Sequence, residues 1–115
     1  MENASPVSLH ALEEFRLSDT LVRFQGGDQV PLSVFVAEYP RGGGPPLDIH
    51  PYAELFLVER GAVKFTAGDE ETEIIGGNIV VVDAETKHSF EGASDELSRV
   101  VSVHPAAEVV QENLS

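Results

Sequence analysis

Short runs of β-branched and aromatic residues, separated by turns rich in glycine and proline, dominate this sequence. The runs lie between residues 20 and 104 and read TLVRF, LSVFVAEY, ELFLVE, AVKFT, TEIIGGNIVVVD, KHSFE and LSRVVSVH. Runs of this length and spacing predict seven or more short β-strands. Such strands, joined by glycine-rich turns, are typical of sandwiches, barrels and jelly rolls, so we expect an all-β fold.

Helical periodicity is weak along the whole chain. The best candidate is the segment 106–114, where Val109, Val110 and Leu114 would lie on one face of a helix and cover one edge of the fold. Residues 7–15 fit a strand or a short helix equally well. Helices are therefore expected to play a minor part.

Length, charge and cysteine content limit the class of protein. A chain of 115 residues is about the size of one domain, and we expect a single domain over 1–115 with a core barrel at about 20–104. A formal net charge of −13 disfavours binding to nucleic acid and to anionic membranes. The absence of cysteine excludes disulfides, and neither a signal peptide nor a membrane span is recognisable. We expect a cytoplasmic protein without nucleic acid or membrane partners.

Four polar residues alternate just before an apolar run. Asp48, His50, Tyr52 and Glu54 would share one face of an extended strand, with Pro51 disturbing the alternation. The simplest interpretation is a half-exposed face whose polar side chains meet water. However, two carboxylates on a face that becomes apolar repel each other unless a cation, a proton or water relieves them. Imidazole and carboxylate together suit manganese, iron, nickel or zinc.

This region resembles the first motif of the cupins, G-x5-H-x-H-x3-E-x6-G. Gly42, Asp48, His50, Glu54 and Gly61 reproduce its spacing throughout. The departure is Asp48, which stands where the motif has its first histidine.

The segment 77–92 resembles the second cupin motif, G-x5-P-x-G-x2-H-x3-N. Gly77 and His88 are retained, whereas Asp83, Glu85 and Gly92 replace the proline, the second glycine and the asparagine. The spacing is thus kept better than the residue identities, and the turn before His88 is the part that the substitutions affect.

The resemblance implies a double-stranded β-helix, a jelly-roll barrel with a short C-terminal tail. It also implies one divalent transition metal held by Asp48, His50, Glu54 and His88. The added carboxylate oxygen favours manganese or iron, with nickel and zinc as alternatives. If Asp48 prevents metal binding, the alternative is a metal-free barrel in which one carboxyl keeps a proton and acts as an acid or base.

Two further residues are candidate catalytic groups. Tyr52 would either offer its phenol to a substrate or pack at the barrel mouth. His104 shares its parity with Ser102, so it either faces the cavity as a proton carrier or, as the better expectation, caps the end of its strand.

Several other side chains have a structural role in this interpretation. Phe56, Phe65 and Phe90 are expected in the core, whereas Leu55 and Leu57 have the outward parity and need cover from a second sheet or a partner subunit. Because cupins are often dimeric, we expect a homodimer.

The resemblance covers several functions. The first hypothesis is a metal-dependent enzyme acting on a small organic molecule inside the barrel, where the ion would polarise a carbonyl or enolate oxygen or bind dioxygen. Dioxygenase, isomerase, decarboxylase, lyase and cyclase chemistry all remain open, because fold alone does not select a reaction. The alternatives are metal-free acid/base catalysis and a non-catalytic barrel that binds a small ligand.

Overall fold

The computed structural model describes residues 6–110 and 112–114 of the chain. In that part, one short 3₁₀ turn, Leu12–Phe15, precedes ten strands. The strands are β1 Leu21–Gln25, β2 Ser33–Tyr39, β3 Asp48–Ile49, β4 Glu54–Arg60, β5 Ala62–Ala67, β6 Glu70–Ile75, β7 Asn78–Val82, β8 His88–Gly92, β9 Ser98–His104 and β10 Glu112–Asn113.

The strands form two five-stranded sheets with antiparallel neighbours. Sheet I has the order β1-β2-β9-β4-β7, and sheet II has the order β10-β3-β8-β5-β6. From β2 to β9 the chain changes sheet at every connection except the β5–β6 hairpin. This winding between two layers is the double-stranded β-helix, or jelly roll. The predicted all-β fold is confirmed.

Aromatic side chains from both sheets form the core. Phe56 of sheet I packs edge-on against Phe65 of sheet II, with ring centroids 5.1 Å apart, and Phe65 stacks on Phe90 at 5.8 Å. Val58 and Val63, one from each sheet, are fully buried beside them. The expected core positions of the three phenylalanines are confirmed, and this packing holds the two sheets face to face.

A glycine closes the tight turn between β4 and β5. Gly61 has φ +81°, and a Cβ added there would lie 2.5 Å from Ser98 Oγ. The buried Ser98 hydroxyl donates to the carbonyl oxygen of Ala62 at 2.7 Å, so the start of β9 lies close against this turn. Both the backbone conformation and the close approach require glycine.

The alternating polar segment does not form one continuous strand. β3 ends at Ile49 and β4 begins at Glu54, and the residues between them lie outside any strand. Pro51 explains the interruption, because it has no N–H to donate to a ladder. Asp48 consequently belongs to sheet II and Glu54 to sheet I. The two carboxylates meet because the sheets face each other, and the expectation of a single shared strand face is wrong.

The C-terminal segment is not helical either. Residues 106–110 are irregular, and β10 pairs with β3, with Asn113 opposite Asp48. Gln111 and Ser115 lie outside the described residues. The predicted helix at 106–114 is wrong because the edge of β3 offers this segment main-chain partners. At the other end, residues 7–15 contain the 3₁₀ turn and no strand.

The outward face of sheet I carries an apolar patch on β4 and β7. Leu55 lies opposite Val81 and Leu57 opposite Ile79, and Val81 and Ile79 are 62% and 63% exposed. The expected outward parity of the two leucines is confirmed. Among the described residues, no helix is long and apolar enough to cross a membrane.

Candidate metal centre

A cavity of about 270 Å³ lies between the two sheets and contains five ionisable side chains. Sheet I contributes Glu54 at the start of β4 and His104 at the end of β9. Sheet II contributes Asp48 and His88, which are direct partners in the β3–β8 pairing. His50 lies in the connection between β3 and β4. All but Asp48 are almost completely buried.

Two of the histidines have one ring nitrogen committed to the backbone. His50 Nδ1 lies 3.0 Å from the carbonyl oxygen of Val110, and His88 Nδ1 lies 2.8 Å from that of Thr86. A carbonyl oxygen can only accept, so each Nδ1 carries a proton and donates it. In the neutral imidazole, each Nε2 then presents a lone pair, and both Nε2 atoms point into the cavity toward carboxylate oxygens.

Glu54 lies at the centre of these contacts. Its Oε1 is 2.9 Å from His50 Nε2 and 3.2 Å from His88 Nε2, and its Oε2 is 3.0 Å from His104 Nε2. Burial opposes ionisation of this carboxyl, but hydrogen bonds from His104 and from His88, whose Nε2 donates only when its ring is protonated, outweigh that effect and lower the pKa of Glu54. Glu54 is therefore held as a carboxylate.

Asp48 is less well satisfied. Its Oδ1 lies 3.1 Å from His88 Nε2 and 3.5 Å from His50 Nε2, but neither contact has hydrogen-bond geometry, and this buried atom has no hydrogen-bond partner among the described residues. Burial raises the pKa of Asp48, because the charged form is poorly solvated. An unpaired buried carboxylate oxygen is costly without a compensating group.

A divalent cation suits this donor set. Two imidazole nitrogens face two carboxylate oxygens, so without a cation or an added proton, lone pairs would face lone pairs. Burial opposes an imidazolium at His88, but hydrogen bonds to Glu54 and to the Thr86 carbonyl raise the pKa of His88. The extra proton and a metal ion are thus alternative ways to satisfy the same atoms. The ligand atoms of Asp48, His50 and His88 lie within 4.8 Å of one another.

His104 and Tyr52 form a separate hydrogen-bonded chain that ends on Glu54. The Tyr52 hydroxyl oxygen lies 2.7 Å from His104 Nδ1 and accepts a hydrogen bond from the Val110 N–H at 3.3 Å. Because the Glu54 carboxylate can only accept, His104 Nε2 carries the hydrogen that it donates to Oε2. In the neutral ring, Nδ1 then accepts from the Tyr52 hydroxyl. Burial raises the pKa of Tyr52. His104 thus faces the cavity. Of the two alternatives drawn from the sequence, the favoured one, a cap at the end of its strand, is wrong.

The site brings together every candidate metal ligand and catalytic residue named from the sequence. Asp48, His50, Glu54 and His88 converge in the cavity, and Tyr52 stacks on His50 with ring centroids 5.2 Å apart. The ligand atoms of His50, Glu54 and His104 also lie within 4.8 Å of one another. His104 is therefore a further candidate donor that the motif spacing did not include.

The turn before His88 has a left-handed residue at the position of the second motif glycine. Glu85 has φ +61°, a left-handed conformation that glycine adopts without strain. Its N–H donates to the carbonyl oxygen of His50 at 2.7 Å. Glu85 thus links the two motif segments through its N–H while its backbone adopts a strained conformation.

Sequence reasoning missed the main-chain groups that orient the histidines. The Val110 and Thr86 carbonyls have no side-chain signature, and the sequence pattern predicts a helix at Val110. His104, by contrast, was detectable from its parity with Ser102, which also lines the cavity.

Comparison with known proteins identifies the family. Residues 35–104 match the family model described as the cupin domain, which is more than half of the chain. No curated protein sequence gives a significant match.

Solved structures resemble the fold at low sequence identity. An uncharacterized conserved protein with a double-stranded β-helix domain from Klebsiella pneumoniae matches with a TM-score of 0.74 and 18% identity, covering 95% of this chain and 98% of that one. Oxalate decarboxylase from Lactobacillus farciminis, solved as a formate complex, matches with a TM-score of 0.70 and 16% identity, covering 86% of this chain and 32% of that one.

Oxalate oxidase in complex with the substrate analogue glycolate matches with a TM-score of 0.66 and 15% identity, covering 73% of this chain. The present chain spans 46% of the oxalate oxidase chain. At these identities the structural likeness shows a shared fold. Together with the family match and the motif spacing, it establishes that this chain belongs to the cupin domain family.

Proposed function

We propose that this cupin binds one divalent transition metal through Asp48, His50, Glu54 and His88 and is an enzyme acting on a small organic molecule in the cavity. The observation that carries the proposal is the set of buried Nε2 lone pairs aimed at two carboxylates, with each Nδ1 committed to a carbonyl. Manganese or iron is favoured by the two carboxylate donors, with nickel and zinc as alternatives.

The bound ion would supply Lewis-acid or redox chemistry toward an oxygen of the substrate. The protein's own contribution is to orient the donors and to carry protons. The chain from Tyr52 through His104 to Glu54 places a proton donor and acceptor beside the cavity, and we assign Tyr52 and His104 to proton transfer on that basis. Dioxygenase, isomerase, decarboxylase, lyase and cyclase reactions all remain compatible with this arrangement.

A specific observation favours a second candidate, metal-free acid/base catalysis. The environments of the two carboxyls move their pKa values in opposite directions, since burial raises the pKa of Asp48 while hydrogen bonds from histidines lower that of Glu54. Pairs of carboxyls separated in this way serve as acid and base in other enzymes.

Elemental analysis of protein purified without a chelating tag separates these candidates. We expect near-stoichiometric metal in the native protein, and loss of metal in both the Asp48→Ala and His88→Ala variants. Ser89→Ala, which alters a neutral cavity residue, is the matched control and should keep the metal. If Asp48→Ala keeps the metal while His88→Ala loses it, the site has three ligands and Asp48 is free to act on substrate.

If no sample contains metal, even after reconstitution with manganese, iron, nickel and zinc, the metalloenzyme proposal is wrong. Metal-free catalysis would then predict turnover that survives chelation. Saturable binding of metabolites without any product would support the non-catalytic binding barrel instead.

We also propose that two copies associate through the apolar patch formed by Leu55, Leu57, Ile79 and Val81. The patch is neutral in a chain of net charge −13, so it is a surface where two copies approach without bringing like charges together. Light scattering should give a dimer for the native protein and a monomer for Ile79→Asp, whereas Ile75→Asp, on an exposed site of β6, should stay dimeric. A native monomer would refute this proposal.

The single domain and a cytoplasmic location remain predictions.

A further inference from the structure

Most of the wall surface of the cavity is apolar. Phe35, Phe56 and Phe90 line it from both sheets, together with Leu21, Pro45 and Pro46. Neutral polar groups come from Ser89, Ser102 and Asn113. Since a water molecule occupies about 30 Å³ in the liquid, a cavity of about 270 Å³ has room for a molecule of roughly nine non-hydrogen atoms.

The charged groups of the cavity are all acidic or imidazole. Asp48 and Glu54 are its carboxylates, and none of the seven lysines and arginines, all of which lie in the described part of the chain, lines it. Several of these cations are paired elsewhere: Arg99, for example, contacts Glu38 at 3.2 Å. Arg23 is opposite Phe35 in the β1–β2 pairing and so lies on the same sheet face, but it is exposed on the edge strand and outside the cavity lining.

A bound divalent ion would not make the net charge of this cavity positive. Its two positive charges would be balanced by the carboxylates of Asp48 and Glu54, since neutral imidazoles add no charge. An anionic substrate would therefore lose its hydration in an apolar cavity without meeting a net positive charge. The surrounding chain, with a net charge of −13, would also repel an approaching anion.

We infer that the cavity takes a neutral, largely apolar molecule carrying one or two hydrogen-bonding groups, and that it excludes carboxylates and dicarboxylates. The inference rests on the proposed function, because it names the substrate class of the same site. It also separates this chain from the oxalate enzymes whose fold it shares, since their names specify a dicarboxylate.

Three probes of nearly identical shape test the inference: benzamide is neutral, benzoate is anionic and benzamidinium is cationic. Each is titrated into isotopically labelled protein, both metal-free and loaded with zinc, while the amide signals of Ser89 and Ser102 locate binding in the cavity. For the zinc-loaded protein, benzamide should bind at least about tenfold more tightly than benzoate, a difference of about 1.4 kcal/mol. It should also bind more tightly than benzamidinium, and oxalate should not bind.

Variants test whether charge is the cause. Leu21→Lys places a cation in the cavity wall and should raise benzoate affinity at least about tenfold, whereas Leu9→Lys, at a position 92% exposed, should change nothing. If Leu21→Lys does not fold, the probe comparison on the native protein still decides the matter. Arg23→Gln should leave the binding of all three probes unchanged.

Several results would overturn the inference. They are tighter binding of benzoate, benzamidinium or oxalate than of benzamide to the zinc-loaded protein, no saturable binding of any probe, and a folded Leu21→Lys variant without gain for benzoate. Benzoate preference that disappears in Arg23→Gln would assign Arg23 as an anion anchor and refute the inference equally. Metal analysis of the same samples keeps the two proposals apart: benzamide preference in a protein that takes up no metal, even on zinc loading, would refute only the metal proposal.

Discussion

Replacing Glu85 by glycine should stabilise the protein. Glu85 has φ +61° in the turn between β7 and β8, and the left-handed conformation costs a non-glycine residue roughly 1–2 kcal/mol. Glycine removes that strain but makes the unfolded chain more flexible, which costs about 0.4–1 kcal/mol. The difference predicts a gain of about 0.8 kcal/mol in the free energy of unfolding, with limits of about 0 and 1.6 kcal/mol. The hydrogen bond from the residue 85 N–H to the His50 carbonyl is retained, because glycine also has an N–H.

Urea unfolding of the native protein, Glu85→Gly and Glu85→Ala measures this gain. The alanine variant is the matched control, because it removes the same exposed carboxylate but keeps a Cβ in the left-handed turn. It should lie within about 0.5 kcal/mol of the native protein. If glycine is no more stable than alanine, backbone strain at Glu85 is absent and the reasoning fails.

Three further outcomes are expected. Phe65→Ala should lower the free energy of unfolding by about 3–5 kcal/mol, since the ring is buried between two other phenylalanines, and a urea midpoint near that of the native protein would contradict this packing. Burial raises the pKa of Tyr39 and of Tyr52, so tyrosinate absorbance should appear at higher pH in native than in unfolded protein, with Tyr52→Phe reporting Tyr39 alone. The stabilisation that arises because the native state favours the neutral phenols is fully present below the unfolded pKa of about 10 and is lost as pH rises through the raised native pKa. Tyrosinate titrations that coincide in native and unfolded protein would contradict this. Ending the chain at residue 108 removes the Val110 carbonyl that holds His50 and should weaken metal affinity about 10–100-fold in chelator competition, whereas Val110→Ala, which keeps the carbonyl, should match the native protein.

Most of the strands could be predicted from the sequence because their signals are local. Apart from β3, each strand from β1 to β9 corresponds to a run bounded by turn residues, and the phenylalanines alternate with outward residues as a half-buried strand requires. The two-residue strands β3 and β10 could not be predicted in this way. Each is specified by its partner across the sheet, not by its own residues. Pro51 indicates that the strand is interrupted, but not that the chain changes sheet there.

The candidate site could be predicted as a set of side chains, because cupin motif spacing brings them together. Its hydrogen bonds could not, since they depend on backbone carbonyls of distant segments. Val110 is sixty residues from His50 along the chain, and nothing in the sequence pairs them. His104 shows the intermediate case: parity allowed it to face the cavity, but only the contact with Glu54 decides between that and a strand cap.

Glu54 and Asp48 stand on opposite layers of the molecule, so the spacing between their oxygens is set by how the two layers are stacked. The phenylalanines between the layers therefore act as a spacer whose thickness sets the distance between the two carboxylates. A change in the size of one such ring, well away from the histidines, would shift both carboxylates relative to each other without touching either. The same core residues consequently determine both the stability of the fold and the geometry of this centre. Second-site variants that alter ligand affinity are best sought among core phenylalanines and valines.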